Sequence, residues 1–262
     1  MYIRGMVLPD QAPSFVRMAA HPLRWRLLVE LAGSDHRVRE LTERVGQPQN
    51  LISYHLRLLR GSGLVTARRS SFDARDSYYH LDLDQCADAL DLTATALHPA
   101  LRLDRPMRPM TSAARPDRPR VLFACTGNSA RSPIAEALLR HHSEASGAEV
   151  TSAGSHPKPD IHPHANRVLR EAFGIEIDGQ RPRHLRTMAG RRFDYVITLC
   201  DKVREIRPHF ADDPRSIHWS IPDPAATDDY AAFTRVAAQI HTRIRHLLPV
   251  LVTAASREAD RD

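Results

Sequence analysis

The sequence predicts two domains of different class: an α domain with a β wing, in the order of a winged helix-turn-helix, followed by an α/β domain on a doubly wound parallel sheet. Three observations carry this. A proline- and arginine-rich segment interrupts the chain near its middle. Before it, three apolar stretches at helical spacing lead into two strand-like runs; after it, short apolar runs alternate with helical ones. Alternation of the second kind marks parallel strands with helices packed on both faces.

The dividing segment, HPALRLDRPMRPMTSAARPDRPR at 98–120, contains Pro99, Pro106, Pro109, Pro116 and Pro119. Proline lacks a backbone donor and blocks helix continuation, and little here can build a core. Residues 98–118 are therefore read as an extended linker, with domains at 1–97 and 119–251 and a polar tail at 252–262. A length of 262 residues suits two domains. Of the net charge of +6, the segment 98–120 supplies +4 (six basic residues, two acidic). Each domain is thus close to neutral, and global charge is weak evidence for nucleic-acid binding. No run approaches the roughly 20 apolar residues of a membrane helix, and MYIRGMVLPDQAPS lacks a secretory core. A cytoplasmic location and no membrane partner are expected. Cys86, Cys125 and Cys200 are too few and scattered for a disulfide framework or a zinc site, so those that matter act as thiols.

In the first domain Pro22 suits a first helical turn, and Leu23, Leu27, Leu28 and Leu31 recur at helical spacing up to Gly33. Val38, Leu41 and Val45 mark a second helix ended by Gly46. Leu51, Ile52, Leu56 and Leu59 mark a third, ended by Gly61-Ser62-Gly63. LVTARRS and SYYHLDL then read as strands joined by the polar SFDARD. Short helix, turn, longer helix and hairpin is the winged helix-turn-helix order. Opposite its apolar stripe the third helix carries Gln49, Asn50, Ser53, Tyr54 and Arg57, able to bond base edges and phosphates from a major groove. Arg68 and Arg69 stand at the start of the hairpin, where a wing meets phosphates. A small helical domain with a solvated polar face has the same pattern.

The stretches AHPLRWRLLVEL and VRELTERVGQPQNLISYHLRLLRGSGLV, with RR and YYHL after them, resemble the ArsR/SmtB family of metal-responsive repressors over about residues 14–95. The resemblance implies a homodimer on palindromic, double-stranded operator DNA. One departure concerns sensing: arsenite-responsive members often carry a cysteine pair where this chain reads HRVREL. Cys86 lies alone near the domain's last helix and is read as a buried structural cysteine.

In the second domain VLFA precedes SPIAEALLRHH, EVTSAG precedes HANRVLREAF, DYVITL precedes a short polar helix, and SIHWSI leads to the amphipathic YAAFTRVAAQIHTRIRHLL. The most informative stretch is VLFACTGNSARSPIAEALL. Cys125 ends a strand, Thr126, Gly127, Asn128, Ser129 and Ala130 follow, and Arg131 and Ser132 open a helix. Five residues at this spacing can curl into a ring with inward N–H groups, and the helix terminus adds positive charge, so residues 126–132 form an oxyanion site. Gly127 allows the tight turn, and Asn128 holds the ring's shape or takes a left-handed conformation. Arg131 offers a planar fork to two oxygens. The same field favours thiolate at Cys125, toward the range of roughly 3.5–7.5 for cysteines so placed, and Ser132 adds a hydrogen bond.

Residues just after the strands of an open parallel sheet collect along one rim. Cys125, Cys200 and Asp223 follow three of the apolar runs and are expected to share it. Asp223 can protonate a leaving oxygen or activate water. The plainer readings are a turn-forming Asp-Pro and a buried strand-end cysteine.

CTGNSARSPIAEALLR, TSAGSHP, DYVITLCD and HWSIPDPAA resemble the low-molecular-weight tyrosine phosphatase fold, specifically its thiol-dependent arsenate reductase branch, over about residues 119–251. The resemblance implies that Cys125 attacks arsenate, Arg131 and the loop amides hold it, Asp223 assists loss of an oxygen, and Cys200 attacks the adduct to release arsenite. Phosphatases of this fold carry an aromatic residue after Asp-Pro; Ala225 and Ala226 stand here. Where three-cysteine reductases have a further cysteine before a proline, this chain has Arg207-Pro208. The reductant is then expected to be external: mycothiol, glutathione or thioredoxin. No tightly bound cofactor and no metal are expected, because His162, His164, His141 and His142 lack companion ligands at suitable spacing. Two alternatives remain open at this point. One is a phosphatase with a DNA-binding domain, and the other a non-catalytic repressor that senses oxyanions.

Overall fold

A computed structural model describes residues 12–98, 101, 118–143, 147–206 and 214–259, with side chains described only up to 251 in the last segment. The residues form two compact units, one mainly before the proline-rich segment and one mainly after it. Most of the expected linker, 99–100 and 102–117, lies outside the described residues, as do Arg207 and Pro208.

The first unit contains α1 (Ser14–Ala19), α2 (Pro22–Gly33), β1 (His36–Arg37), α3 (Val38–Val45), α4 (Gln49–Gly61), β2 (Val65–Arg69), β3 (Ser77–Leu81) and α5 (Leu83–Leu97). The helix ends follow from local chemistry. Pro22 opens α2 while His21 Nδ1 accepts from the Leu23 N–H at 3.2 Å. The Arg37 N–H donates to Glu40 Oε2 at 2.8 Å as α3 begins. Gly46 ends α3 at φ +67°, a left-handed position that a side chain would strain. The core joins Leu27, Leu28 and Leu31 of α2 to Leu41, Val45, Ile52, Leu56 and Leu59. Leu51, expected in the stripe of α4, is exposed. The buried row is Ile52, His55, Leu56 and Leu59, an i, i+3, i+4, i+7 set that excludes position 51. The three strands lie in the order β1-β3-β2. Two-residue β1 is too short to leave a periodic trace in sequence.

The second unit runs β4 (Arg120–Cys125), α6 (Arg131–His142), β5 (Glu149–Gly154), α7 (Pro163–Phe173), β6 (Tyr195–Thr198), α8 (Asp201–Ile206), β7 (Arg215–His218) and α9 (Tyr230–Ala259). Its four strands are all parallel in the order β5-β4-β6-β7. The chain moves from β4 outward to β5 and then crosses back to β6, so the topological switch lies between β4 and β6, where such sheets bind ligands. Val121 and Phe123 point into the larger core with Ile134, Leu138, Val168, Phe233 and Ile240. Leu122 alternates to the opposite face and meets Val196, Phe193 and Met188. That second face is covered by a small cluster around the 3-10 turn Leu185–Met188. The boundary expected at residue 251 falls inside α9, which continues to Ala259. VTAASREA contains strong helix formers and no breaker, so the helix propagates.

Candidate active site

Strand β4 delivers Cys125 to the switch point, and Thr126–Ala130 curl before α6 begins at Arg131. Four hydrogen bonds tie carbonyls of the ring to the segment that follows β5. The carbonyls of Cys125, Thr126, Gly127 and Ser129 accept from the N–H groups of Ser155, His156, Lys158 and His162 at 3.1, 2.9, 2.8 and 2.8 Å. The segment after β5 is thus a strap along the outside of the loop. Tying the carbonyls outward leaves the amides on the concave side. Among the described residues no side chain caps α6, whose first turn also lacks an acidic residue, so its N-terminal partial charge is available to an anion.

The left-handed residue of the ring is Asn128 (φ +43°), not Gly127. Asn128 is fully buried. Its amide donates to Cys125 Sγ at 3.2 Å, its Nδ2 to Ser132 Oγ and Ser152 Oγ at 2.9 and 2.8 Å, and its Oδ1 accepts from the Arg183 N–H at 2.7 Å. These bonds hold a conformation that asparagine tolerates better than most residues. Gly127 is constrained by space, since a Cβ would sit 3.3 Å from Lys158 Cγ and from Ser129 Oγ. Gly154, at the end of β5, is tighter still: a Cβ would lie 2.6 Å from Thr126 O and 2.9 Å from Asn128 N.

Sequence reasoning missed the support beneath the ring. Glu136 of α6 is buried and accepts from Ser152 Oγ at 2.6 Å, Gln180 Nε2 at 2.7 Å, Arg183 Nη2 at 2.5 Å and Arg140. A buried carboxylate needs such donors, and through Ser152 and Arg183 this one is connected to Asn128. Its partners lie 4 to 47 positions away, so only the run of buried neighbours around a glutamate hinted at it.

The Cys125 thiol is fully buried and lies 2.9 Å from Ser132 Oγ. Burial pushes it up and outweighs the Arg131 guanidinium and the Ser132 hydroxyl, which pull it down; nearby Cys200 also pushes it up. This direction is opposite to the depressed value expected from the loop and helix terminus alone, because burial disfavours the thiolate. Arg131 is 5% exposed, and its guanidinium donates to Ile221 O at 3.2 Å and to Asp223 Oδ2 at 2.8 Å. The oxyanion fork and the candidate acid are therefore an ion pair at the site. Asp223 Oδ1 also accepts from the Ala225 N–H at 3.2 Å, starting a 3-10 turn.

Cys200 is buried at the end of β6, its Sγ 3.3 Å from Thr126 Oγ1. The register explains this: Ala124 pairs with Thr198, and the Leu199 N–H donates to Ala124 O at 2.7 Å, which brings residue 200 level with residue 126. Cys125, Arg131, Asp223 and Cys200 thus share one rim. Among the described residues, no group of three or more His, Cys, Asp or Glu is arranged to hold a metal ion, and no helix is long and apolar enough to cross a membrane.

In the first unit Gln49, Asn50, Tyr54 and Arg57 are exposed on α4 and Ser53 is half-buried. Arg68 is half-buried. Arg69 is exposed, but its Nη1 donates to Ala74 O at 2.8 Å and Arg75 O at 3.3 Å, so it closes the hairpin's own turn. Cys86 packs in the core, and burial, with Asp82 nearby, pushes its thiol up to about 11.

Residues 120–259 match the family model of the low molecular weight phosphotyrosine protein phosphatases, and residues 21–67 match that of bacterial regulatory proteins of the arsR family. An arsenate reductase of Halalkalibacterium halodurans is 32% identical over 130 residues, 48% of this chain and 91% of that protein. One from Bacillus licheniformis is 34% identical over 132 residues, with the same coverage of 48% and 91%. The crystal structure of an arsenate reductase from Archaeoglobus fulgidus is 28% identical, covering 49% of this chain and 98% of its own, with a TM-score of 0.42. By residues 120–259 the chain belongs to the low molecular weight phosphotyrosine protein phosphatase family, as a relative of arsenate reductases, and it carries an arsR-family helix-turn-helix in front.

Proposed function

We propose that the protein is an arsenate reductase fused to a transcription regulator of arsenical resistance. The observation that carries this reading is the Cys125–Arg131 ring, its carbonyls tied outward, with the Cys200 thiol one hydroxyl away at Thr126. Arsenate enters the ring, where the amides of residues 126–132 and the Arg131 fork hold its oxygens and Arg131 exchanges Asp223 for the ligand. Cys125 Sγ gives up its proton to an arsenate oxygen and forms an S–As bond. Released by Arg131, the Asp223 carboxylate takes up a proton from solvent and passes it to the leaving oxygen; an As–O bond breaks, and the oxygen leaves as water.

Cys200 Sγ then attacks Cys125 Sγ as its proton passes to an oxygen on arsenic. The S–S bond forms and the S–As bond breaks with its electron pair on arsenic. Arsenic(V) becomes arsenic(III) and departs as arsenite, while two thiols become one disulfide. External thiols reduce that disulfide; mycothiol, glutathione and thioredoxin are the candidates. Ala225 and Ala226, both exposed after Asp223-Pro224, offer no aromatic face for a phosphotyrosine ring.

On the regulator side, α4 enters a major groove of double-stranded operator DNA with Gln49, Asn50, Ser53, Tyr54 and Arg57, and the hairpin with Arg68 and Arg69 meets the backbone. The exposed Leu90, Leu92 and Leu97 of α5 support pairing of two copies as a homodimer. The protein works in the cytoplasm.

The test is arsenate-dependent thiol oxidation by purified protein, with mass mapping of Cys125 and Cys200. Cys125→Ser is expected to lower turnover by more than about 1,000-fold, and Cys200→Ser to stop it after one adduct. Phenyl phosphate hydrolysis indifferent to Cys200→Ser, without arsenate reduction, would establish a phosphatase instead. DNA release by arsenate that survives Cys125→Ser would establish a sensor.

A further inference from the structure

Asp223 has to stand at a fixed height over the ring, yet the loop that follows it is exposed from Ala225 to Asp229. At its start Ile221 is buried and Asp223 pairs with Arg131. At its end Asp229 caps α9, its Oδ1 accepting from the Ala231 N–H at 3.1 Å. Between these anchors, among the described residues, one side chain of the stretch Ala225–Asp228 reaches outside the loop. Asp228 Oδ1 lies 3.0 Å from His162 Nε2.

His162 is fixed from three directions. Its N–H donates to Ser129 O at 2.8 Å, so its backbone is the last tie of the strap on the ring. Its Nδ1 accepts from the His164 N–H at 3.2 Å and caps α7. Its ring stacks on fully buried Phe233 of α9, with centroids 4.5 Å apart and planes at 28°. Because a backbone N–H points at Nδ1, that nitrogen is the acceptor and the ring proton sits on Nε2, facing Asp228. Asp228 in turn holds a left-handed backbone, φ +48°, which asparagine and aspartate tolerate better than most residues.

We propose that His162 is a positioning residue. Through Asp228 it locks the loop carrying Asp223 to the ring carrying Cys125, so the carboxyl stays aligned with the leaving oxygen. One residue touches both loops, by backbone on one side and by side chain on the other. This inference rests on the reading of Asp223 as the acid.

His162→Asn separates the capping role from the locking role, because asparagine caps helices well but is too short to reach Asp228. Activity is measured for wild type, His162→Asn, Asp228→Gly, Asp223→Asn and the double variant His162→Asn/Asp223→Asn, with arsenate and a thiol, and with p-nitrophenyl phosphate in parallel. His162→Asn and Asp228→Gly, which keeps the left-handed backbone but removes the acceptor, are each expected to lower kcat about 5–10-fold with KM for arsenate within twofold, since a displaced acid slows chemistry more than binding. In the Asp223→Asn background the His162→Asn loss should vanish, because His162 then has no acid to place. An unchanged kcat in His162→Asn, or losses that multiply fully with Asp223→Asn, would overturn the proposal. A wild type that turns over p-nitrophenyl phosphate but not arsenate removes the reductase reading and leaves the cycle to be read on the phosphate ester.

Discussion

The outer face of α4 and the ring at Cys125 are both binding surfaces, built in opposite ways. On α4 the contacting groups are side chains standing in solvent on a helix whose other face makes the core. In the ring the contacting groups are main-chain amides, aimed by residues far away in sequence: Gly154, the strap from Ser155 to His162, and Arg183. A surface of the first kind divides into independent contacts that can be lost singly. One of the second kind fails as a unit, because each amide direction depends on the same few hydrogen bonds.

The largest effect that separates the two is expected for Gly154→Ala. Its methyl carbon would overlap Thr126 O at 2.6 Å, and since both neighbours are backbone the ring itself has to shift. Displacement of about 1 Å should cost roughly 100-fold in kcat/KM, with a loss of about 1–3 kcal/mol in stability, read by steady-state kinetics and denaturant unfolding. Retained turnover would show that the ring adapts, and the contrast would weaken.

A smaller effect sharpens the other side. Arg57→Ala is expected to weaken binding to a duplex from upstream of the protein's own gene by about tenfold and to flatten its salt dependence, with stability changed by less than about 0.5 kcal/mol. Arg69→Ala should instead loosen the hairpin, because its guanidinium is already spent on Ala74 O and Arg75 O. Its effect should be smaller and less salt-dependent. Fluorescence anisotropy over a salt series distinguishes them, and equal slopes for the two variants would count against the division of roles.

The smallest effect lies at the edge of the catalytic domain. His142 of α6 and His241 of α9 place their Nε2 atoms 3.0 Å apart. Burial lowers the pKa of both, Arg245 lowers both as well, and His142 is lowered further by His241 and His141. For a base held below its ordinary value, the stabilisation is complete above about pH 6.5 and is lost as pH falls, when the unfolded chain takes up protons first. The melting temperature of the wild type should therefore drop further between pH 7.5 and 5.5 than that of His142→Gln. Parallel pH curves for the two proteins would remove the histidine pair from the account.

What the sequence made legible follows from the same division. The α4 face could be read because amphipathic periodicity separates buried from exposed positions, although Leu51 fell on the wrong side of the stripe and His55 went unnoticed. The Cys-x5-Arg spacing, flanked by a strand and a helix, pointed to the ring, and the strand-end positions of Cys125, Cys200 and Asp223 pointed to the shared rim. The strap stayed hidden because backbone-to-backbone bonds leave no side-chain signature. Glu136, Arg183 and Gln180 stayed hidden because their meeting depends on tertiary packing across dozens of positions. The upward push of burial on the Cys125 thiol stayed hidden for a related reason: an N-terminal helix charge can be inferred from local order, whereas desolvation is known only once the surrounding core is in place. Asn128, by contrast, took the left-handed role that its residue type allowed.

The four rungs from Ser155, His156, Lys158 and His162 also divide what evolution and engineers are free to alter. Because every rung is main chain, the identity of most residues from Ser155 to Asp160 is open to change, and new side chains there can reshape the rim without touching the chemistry, whereas Ile161 is buried and His162 acts through its ring. Its length is not open. Adding or removing a single residue slips all later rungs at once and turns ring carbonyls toward the anion, so this stretch should tolerate substitution far better than insertion or deletion.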